Sequence, residues 1–423
     1  MIKFTDLPLA FYTIFVFLYN TGIKVSAWWN VKARLWVKGR KSIFERIAKS
    51  LNDAGVDPAK QPVAWFHCAS LGEFEQGRPV IEAYRKQFPG HKIFLTFFSP
   101  SGYEVRKAYT GADFIFYLPA DTRRQARKFL ALVKPCIAIF VKYEFWFNYL
   151  DQLRRSGVPT FVISANFRPT QHFFKWYGEW SRTALGRLNH IFVQNESSRE
   201  LLEFIGITNV TVSGDTRFDR VLDIASQAKS FPLVEAFAAG SPVIVAGSTW
   251  PPDEDLIFGA MERSSVKFKL IIAPHETHPK RIEALMAKPA LKAVRYSEAT
   301  EATLAGANVL VIDGIGMLSG LYRYATIAYI GGGFGVGIHN TLEAATFGKP
   351  VIFGPNFHKF QEARDLLDID AAFSIKNADE LDVAIRKLLG DAVLLKNASV
   401  KAAEYVKARA GATGIIMGEM GNE

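Results

Sequence analysis

The chain has 423 residues, 49% of them apolar and 22% charged, with a formal net charge of +10. This is long enough for two domains of ordinary size, and the composition is globular, which excludes a disordered or fibrous chain. The basic excess calls for an anionic partner: nucleic acid, membrane or phosphorylated substrate.

Residues 7–23 carry no charged side chain and are rich in Phe, Leu, Ile and Tyr, a run at the short end for a membrane span. Between residues 24 and 49, eight basic residues (Lys24, Lys32, Arg34, Lys38, Arg40, Lys41, Arg46 and Lys49) meet one acidic residue, Glu45. Trp28, Trp29 and Trp36 are interleaved with them. An apolar anchor, interfacial tryptophans and a basic cluster fit a body held on the cytoplasmic side of a membrane, with the cluster drawn to anionic lipid. Two other readings stay open. One is a signal peptide cleaved after Val25-Ser26-Ala27, against which the weakly charged start and the basic cluster that follows both argue. The other is a buried helix of the globular fold. Whether an anchor would cross the bilayer or lie in its interface is also open.

The body alternates. Strands are expected at 63–69, 93–97, 114–117, 136–141, 160–164 and 190–193, with helices at 74–88, 101–109, 122–132 and 197–204. A second run of the same kind has strands at 242–246, 269–273, 309–312, 327–330 and 350–353. Cys68 and Cys136 lie in these strand-like runs and form neither a disulfide framework nor a zinc spacing, which points to a reducing compartment. The pattern is α/β, two Rossmann-like doubly wound domains. The expected division is an anchor at 1–30, an N-terminal domain at 31–225 and a C-terminal domain at 226–423, with the last helix packing back on the N-terminal domain.

Four stretches carry candidate chemistry. In Ser70-Leu71-Gly72-Glu73 a strand ends, Gly72 makes the turn and Glu73 stands at the mouth of a helix. There Glu73 either accepts a proton from an alcohol or is only a helix-terminus charge. In Lys142-Tyr143-Glu144-Phe145-Trp146, Glu144 either orients a substrate or is a hydrogen-bonded structural group. Arg217, in Ser213–Asp219, either faces an anionic substrate or lies in a surface turn. The fourth group follows the strands of the second half: Gly247-Ser248-Thr249-Trp250, Pro274-His275-Glu276 through Arg281, and Asp313-Gly314-Ile315-Gly316-Met317. These are placed where phosphate and base contacts belong. His275 and His278 lack a partner set for a metal. Asp253-Glu254-Asp255 and Asp368-Ile369-Asp370 read as solvated charge.

The densest signal is residues 331–355, with glycines at 331, 332, 333, 335 and 337 between two apolar runs. A short helix is expected from 340 to 347, with Glu343 in its first turn, and the glycines would let backbone N–H groups approach a nucleotide or sugar nucleotide. The loop does not fit G-x-G-x-x-G in any register, which disfavours a dinucleotide.

With these residues in hand, the chain resembles the Kdo transferases of lipopolysaccharide synthesis, which move 3-deoxy-D-manno-octulosonic acid (Kdo) from CMP-Kdo to a lipid A precursor. The resemblance rests on Ser70–Glu73, Glu144-Phe145-Trp146, Gly214–Asp219, Gly247–Thr249, Gly331–Phe334 with His339-Asn340-Thr341-Leu342-Glu343, and Ala410–Thr413. It implies the GT-B arrangement, two Rossmann-like domains facing a cleft, and an inverting reaction without metal or other cofactor at the inner membrane. Glu73 would be the general base, with Ser70, Gly72, Glu144 and Arg217 orienting the acceptor. Ser248, Thr249, His275, Gly314, Gly316, Met317, Gly331, Gly332, Gly333, Asn340 and Glu343 would hold the donor. The chain departs from the family pattern in four places. Lys142 stands for a glutamate, Phe147 for a proline, and Trp250 for the commoner histidine. Pro274–Pro279 replaces Pro-Arg-His-Pro, so that Lys280 or Arg281 would take over a phosphate contact. Three other functions compete: a lipid-directed transferase using a UDP-sugar, a sugar-nucleotide epimerase, and a non-catalytic membrane scaffold. No nucleic-acid motif accompanies the charge, and nothing in the sequence gives the oligomeric state.

Overall fold

A computed structural model describes residues 7–143, 145–288 and 292–421. Glu144 therefore lies outside the described residues. The chain forms two compact units, residues 1–220 with 411–423, and residues 221–410. Each is built on a seven-stranded parallel sheet.

The first sheet contains β1 (Val63–Cys68), β2 (Lys92–Phe97), β3 (Phe114–Tyr117), β4 (Ile137–Val141), β5 (Thr160–Ala165), β6 (His190–Val193) and β7 (Val210–Val212). Its order is β3-β2-β1-β4-β5-β6-β7. The central strands are continuous apolar runs because helices cover both faces. Along β1, successive side chains enter opposite layers. Trp65 packs with Phe94, Phe129 and Phe140 on one side. Ala64, Phe66 and Cys68 pack with Phe74, Val80 and Ile81 of the helix Leu71–Gln87 on the other. Ile416, Met417 and Met420 of the helix Ala412–Met420 complete that second layer. The Asp219 carboxylate holds the start of this helix, accepting from the backbone N–H of Gly411 (2.5 Å) and Thr413 (2.7 Å) and from Thr413 Oγ1 (2.6 Å).

The second sheet contains β8 (Val243–Thr249), β9 (Lys269–Pro274), β10 (Ala293–Arg295), β11 (Val309–Val311), β12 (Ile327–Ile330), β13 (Val351–Phe353) and β14 (Ala372–Ser374). Its order is β10-β11-β9-β8-β12-β13-β14. The chain works outward from β1 through β2 and β3 and then crosses to β4 on the other side; from β8 it runs to β9, out to the edge at β10 and back to β11 between them, and then crosses to β12. The switch points, where ligands collect in open parallel sheets, are thus β1/β4 and β8/β12.

The N-terminal apolar run is a helix, Leu7–Ser26. It is docked on the first unit. Val16 is buried, and Tyr12 Oη donates to Asp121 Oδ2 (2.5 Å). The Tyr12 ring packs 5.0 Å from Phe147 and 5.5 Å from Trp180. Asp121 is itself buried and accepts from the N–H groups of Asn148 (3.2 Å) and Tyr149 (3.1 Å). Burial pushes its carboxyl up to about 6, against the lowering effect of these hydrogen bonds. The other face of the helix is apolar and exposed at Ile14, Phe15, Phe17, Leu18 and Val25, and the exposure continues through Trp28 and Trp29. Among the described residues, no helix is long and apolar enough to cross a membrane.

Candidate functional site

At the first switch point, β1 ends at Cys68 and the helix begins at Leu71, with Ser70 as its N-cap. The turn is therefore made by Ala69 and Ser70. Gly72 lies inside the first helical turn, exposed, and a Cβ there would meet only Ser70 Oγ at 3.7 Å. The reading of Gly72 as the turn residue is thus corrected: Gly72 leaves open surface above the helix start. Glu73 is half-buried in the same turn, and the Ser70 hydroxyl donates to its carboxylate. Ser70, Gly72 and Glu73 are together.

β4 delivers the neighbouring loop. Lys142, just past the strand, has φ +64°, a left-handed conformation that is costly for a residue with a Cβ. Further along this loop Trp146 crosses to β1, its Nε1–H donating to His67 Nε2 (3.0 Å). The fully buried His67 ring then donates from Nδ1 to Thr96 Oγ1 (2.9 Å), which also accepts from Trp65 Nε1 (2.8 Å). Thr96 Oγ1 passes its own proton to the Phe66 carbonyl (3.3 Å). Every donor in this chain has one direction, so the tautomer of His67 is fixed by its neighbours. Sequence reasoning gave His67 no role, because nothing in Phe-His-Cys signals a buried network.

Arg217 is placed differently from the other acceptor-side candidates. It follows β7, at the far edge of the sheet, but the segment returns toward the Glu73 helix, where Thr216 Oγ1 donates to the Gln76 carbonyl (2.5 Å). The Arg217 guanidinium is engaged by Asp215, with Nε 2.9 Å from Oδ2 and a terminal nitrogen 2.7 Å from it.

At the second switch point, Ser248 is a bulge at the end of β8, with φ +54°, and Thr249 is buried beyond it. The glycine loop follows β12. Its glycines answer a packing requirement. A Cβ on Gly331 would stand 2.3 Å from the Ser248 carbonyl oxygen, one on Gly332 2.4 Å from that of Gly337, and one on Gly333 2.6 Å from Gly354 Cα. The N–H of Gly331 bonds to the Gly247 carbonyl (2.9 Å), and that of Gly332 to Asp253 Oδ2 (2.9 Å). These two amides are therefore used inside the fold, and the expectation that they reach a ligand is corrected for them. The helix after the loop is only Leu342–Ala345. Asn340 links to it, with Nδ2 donating to Glu343 Oε1 (3.1 Å) and Oδ1 accepting from Leu342 N–H (3.0 Å). Burial, and then the charge of Glu343, raise the Tyr322 phenol well above its usual value. A side chain at Gly247 would collide with Tyr322 Oη at 2.0 Å.

Three rings stack at this edge. His275 lies between Trp250 and His339, 4.6 Å from each. Burial, and then the neighbouring His275, lower the pKa of His339. Gly314, Gly316 and Met317 follow β11, beyond β9 in the sheet order; Gly316 has φ +86°.

The acidic run 253–255 is where burial overturns the sequence reading. Asp253 and Glu254 are both buried, each 1% exposed; only Asp255 is solvated. Two prolines start the helix Pro251–Arg263, and Asp253 in its first turn caps the Trp250 N–H (2.9 Å). Glu254 accepts from Thr249 Oγ1 (3.0 Å) and is paired with Arg281. Thr249 and Arg281, both proposed as donor contacts from sequence, are thus engaged by this carboxylate. The other acidic run, Asp368-Ile369-Asp370, lies at the mouth of a cavity of about 610 Å³ with Lys401 and Arg409. Among the described residues no cluster of three or more His, Cys, Asp or Glu side chains has the arrangement of a metal site.

Two parallel doubly wound sheets, each with its polar residues beyond a switch point, define the fold class as GT-B-like. A family profile described as 3-deoxy-D-manno-octulosonic-acid transferase (kdotransferase) matches residues 41–220. The 3-deoxy-D-manno-octulosonic acid transferase of Bordetella pertussis is 30% identical over 377 residues, 84% of this chain and 86% of the relative. That of Aquifex aeolicus is 28% identical over 334 residues, 77% of this chain and 85% of the relative. The crystal structure of UDP-GlcNAc 2-epimerase from Neisseria meningitidis superposes with a TM-score of 0.58 at 15% identity, covering 85% of this chain and 100% of that one, a likeness of fold. The chain belongs to the Kdo transferase family. It is a glycosyltransferase, and the sugar of its family is Kdo.

Proposed function

We propose that this protein moves Kdo from CMP-Kdo to a lipid A precursor with inversion, at the cytoplasmic face of the inner membrane, with Glu73 as the general base. The observation that carries this reading is the Ser70–Glu73 pair at the helix start beyond β1. A half-buried carboxylate there, with open surface above Gly72, is accessible to an incoming hydroxyl. The acceptor hydroxyl gives its proton to Glu73 as its oxygen bonds to the anomeric carbon of Kdo. The bond from that carbon to the phosphate oxygen breaks, and CMP leaves with the electron pair. Ser70, Gly72 and Arg217 orient the acceptor, and Glu144 is assigned the same task. The second unit takes the nucleotide at Ser248, His275, Gly314–Met317, the glycine loop, Asn340 and Glu343. Backbone donors and a basic side chain stabilise the leaving phosphate, and the reading calls on no metal.

The helix Leu7–Ser26 supports a membrane location of a particular kind. One side is committed to Asp121 and Phe147, and the other offers Phe15, Phe17 and Leu18 to the surroundings. Such a helix lies in the bilayer interface, with the basic residues of 24–49 over anionic headgroups.

One assay tests both parts. Purified protein receives CMP-Kdo generated in situ and a tetra-acylated lipid A precursor in vesicles with or without phosphatidylglycerol, and the lipid is weighed by mass spectrometry. A gain of one or more Kdo units is expected. No gain, with CMP-Kdo intact and a known Kdo transferase active alongside, would turn the reading toward a UDP-sugar donor. Replacing Trp28 and Trp29 by serine should lower vesicle partitioning by about tenfold or more, given ~0.8 kcal/mol per buried methylene-sized contact. Undiminished partitioning would take this segment out of the membrane role.

A further inference from the structure

Asp253 is a buried carboxylate of the second unit that accepts three hydrogen bonds. It lies in the first turn of Pro251–Arg263, 1% exposed, directly beneath the β8/β12 switch point. Its Oδ1 accepts from Tyr329 Oη of β12 (2.9 Å). Its Oδ2 accepts from two backbone amides, Trp250 N–H at the end of β8 (2.9 Å) and Gly332 N–H in the glycine loop (2.9 Å). A single oxygen thus joins the two lips of the switch point.

The Gly332 peptide is also the point from which the loop takes its shape. Its carbonyl accepts from the N–H of Gly335 (3.0 Å) and of Gly337 (3.2 Å). Its φ of +92° and the 2.4 Å approach of the Gly337 carbonyl to its missing Cβ admit glycine alone. Glycines leave a loop soft unless something outside it fixes a peptide. Here the Gly332 N–H is held by the buried carboxylate, the Gly331 N–H by the Gly247 carbonyl, and the Gly333 and Gly335 carbonyls by Asn356; of these anchors Asp253 is the charged side chain.

We propose that Asp253 is a positioning residue, which holds the Gly331–Gly337 loop in the shape that takes the donor nucleotide. The proposal rests on the reading that this loop binds the donor. The requirement is for an acceptor that serves both amides at once. Asparagine meets it in part. Its Oδ1 can face the two amides while its Nδ2–H faces Tyr329, whose hydroxyl can reverse and accept. Alanine leaves both amides buried and unpaired.

The test uses the full chain. Hydrogen exchange of residues 331–337, with no ligand added, should accelerate at least about tenfold in Asp253→Ala and less in Asp253→Asn, as loss of charge-assisted bonds implies. KM for CMP-Kdo should rise by about tenfold or more in the alanine variant, with the acceptor KM and kcat changed by less than about threefold, and Asn should restore most of the loss. Unchanged loop exchange in Asp253→Ala would overturn the positioning role whatever the activity. Faster exchange with an unaltered donor KM in an active enzyme would leave the loop set by Asp253 but remove it from donor binding. If the alanine variant does not fold, Asp253→Ser, whose hydroxyl is too short to reach both amides, carries the same measurements, and wild-type exchange at Gly332 in that variant would overturn the proposal.

Discussion

The two switch points have the same topology and use carboxylates in opposite ways. Beyond β1, Glu73 is half-buried, touches the Ser70 hydroxyl and has open surface over Gly72. Beyond β8, Asp253 and Glu254 are sealed under the surface and spend their oxygens on Tyr329, Gly332, Trp250, Thr249 and Arg281. A carboxylate at the rim can exchange a proton with a substrate; one underneath, with every oxygen taken, can only hold other groups in place. Position in the topology selects where polar residues gather, and burial selects what each does.

If exposure marks the chemical group, Glu73→Gln should cost roughly 10²–10⁴-fold in kcat, the usual worth of a general base, while the protein melts as before. Turnover within a few-fold of wild type would end the contrast, since an exposed and a buried carboxylate would then be alike. Asp121 extends the contrast within the first unit, as a buried carboxyl raised to about 6 from 3.8. It binds its proton more tightly folded than unfolded. Its contribution is therefore fully present below about pH 4 and is lost as pH rises through 6, a swing of roughly 3 kcal/mol. Denaturant titrations at pH 4.5 and 7.5 should show this fall in the wild type and lose most of it in Asp121→Asn; parallel curves would mean the carboxyl is not held as described. The smallest effect concerns the glycines. Gly331→Ala, with its Cβ 2.3 Å from a backbone oxygen, should lose about 1–3 kcal/mol of stability. Gly72→Ala, with nothing nearer than 3.7 Å, should melt within about 0.5 kcal/mol of wild type or slightly above it, alanine being the better helix former. Equal losses at the two positions would deny that one glycine serves backbone packing and the other an open surface.

The strands that were legible in the sequence are those buried on both faces. Val63–Cys68, Ile137–Val141 and Lys269–Pro274 are nearly continuous apolar runs, which only a covered parallel strand requires. β7, β10 and β14 escaped notice, being three-residue edge strands with half-exposed side chains. Ser70–Glu73 and the glycine loop were legible because they break such runs at strand ends. The inward turn of Asp253 and Glu254 was not: Asp-Glu-Asp has the composition of a solvated surface, and the partners that hold the first two carboxylates inside, Tyr329, Gly332 and Arg281, are distant in sequence. The docking of Leu7–Ser26 was equally hidden, since its partner Asp121 is more than a hundred residues away, |i−j| = 109 from Tyr12.

The return of Ala412–Met420 to the first unit makes residues 221–410 an insertion within it. On a ribosome, the first unit therefore waits for the whole of the second to be synthesised before Ile416, Met417 and Met420 can close its open layer. Until then the part of Leu71–Gln87 that meets Ala412–Met420 is uncovered, whereas the inserted unit already has all of its strands. The order of maturation is thus inverted relative to the order of translation: the half made later is finished first, and the half begun first is finished last.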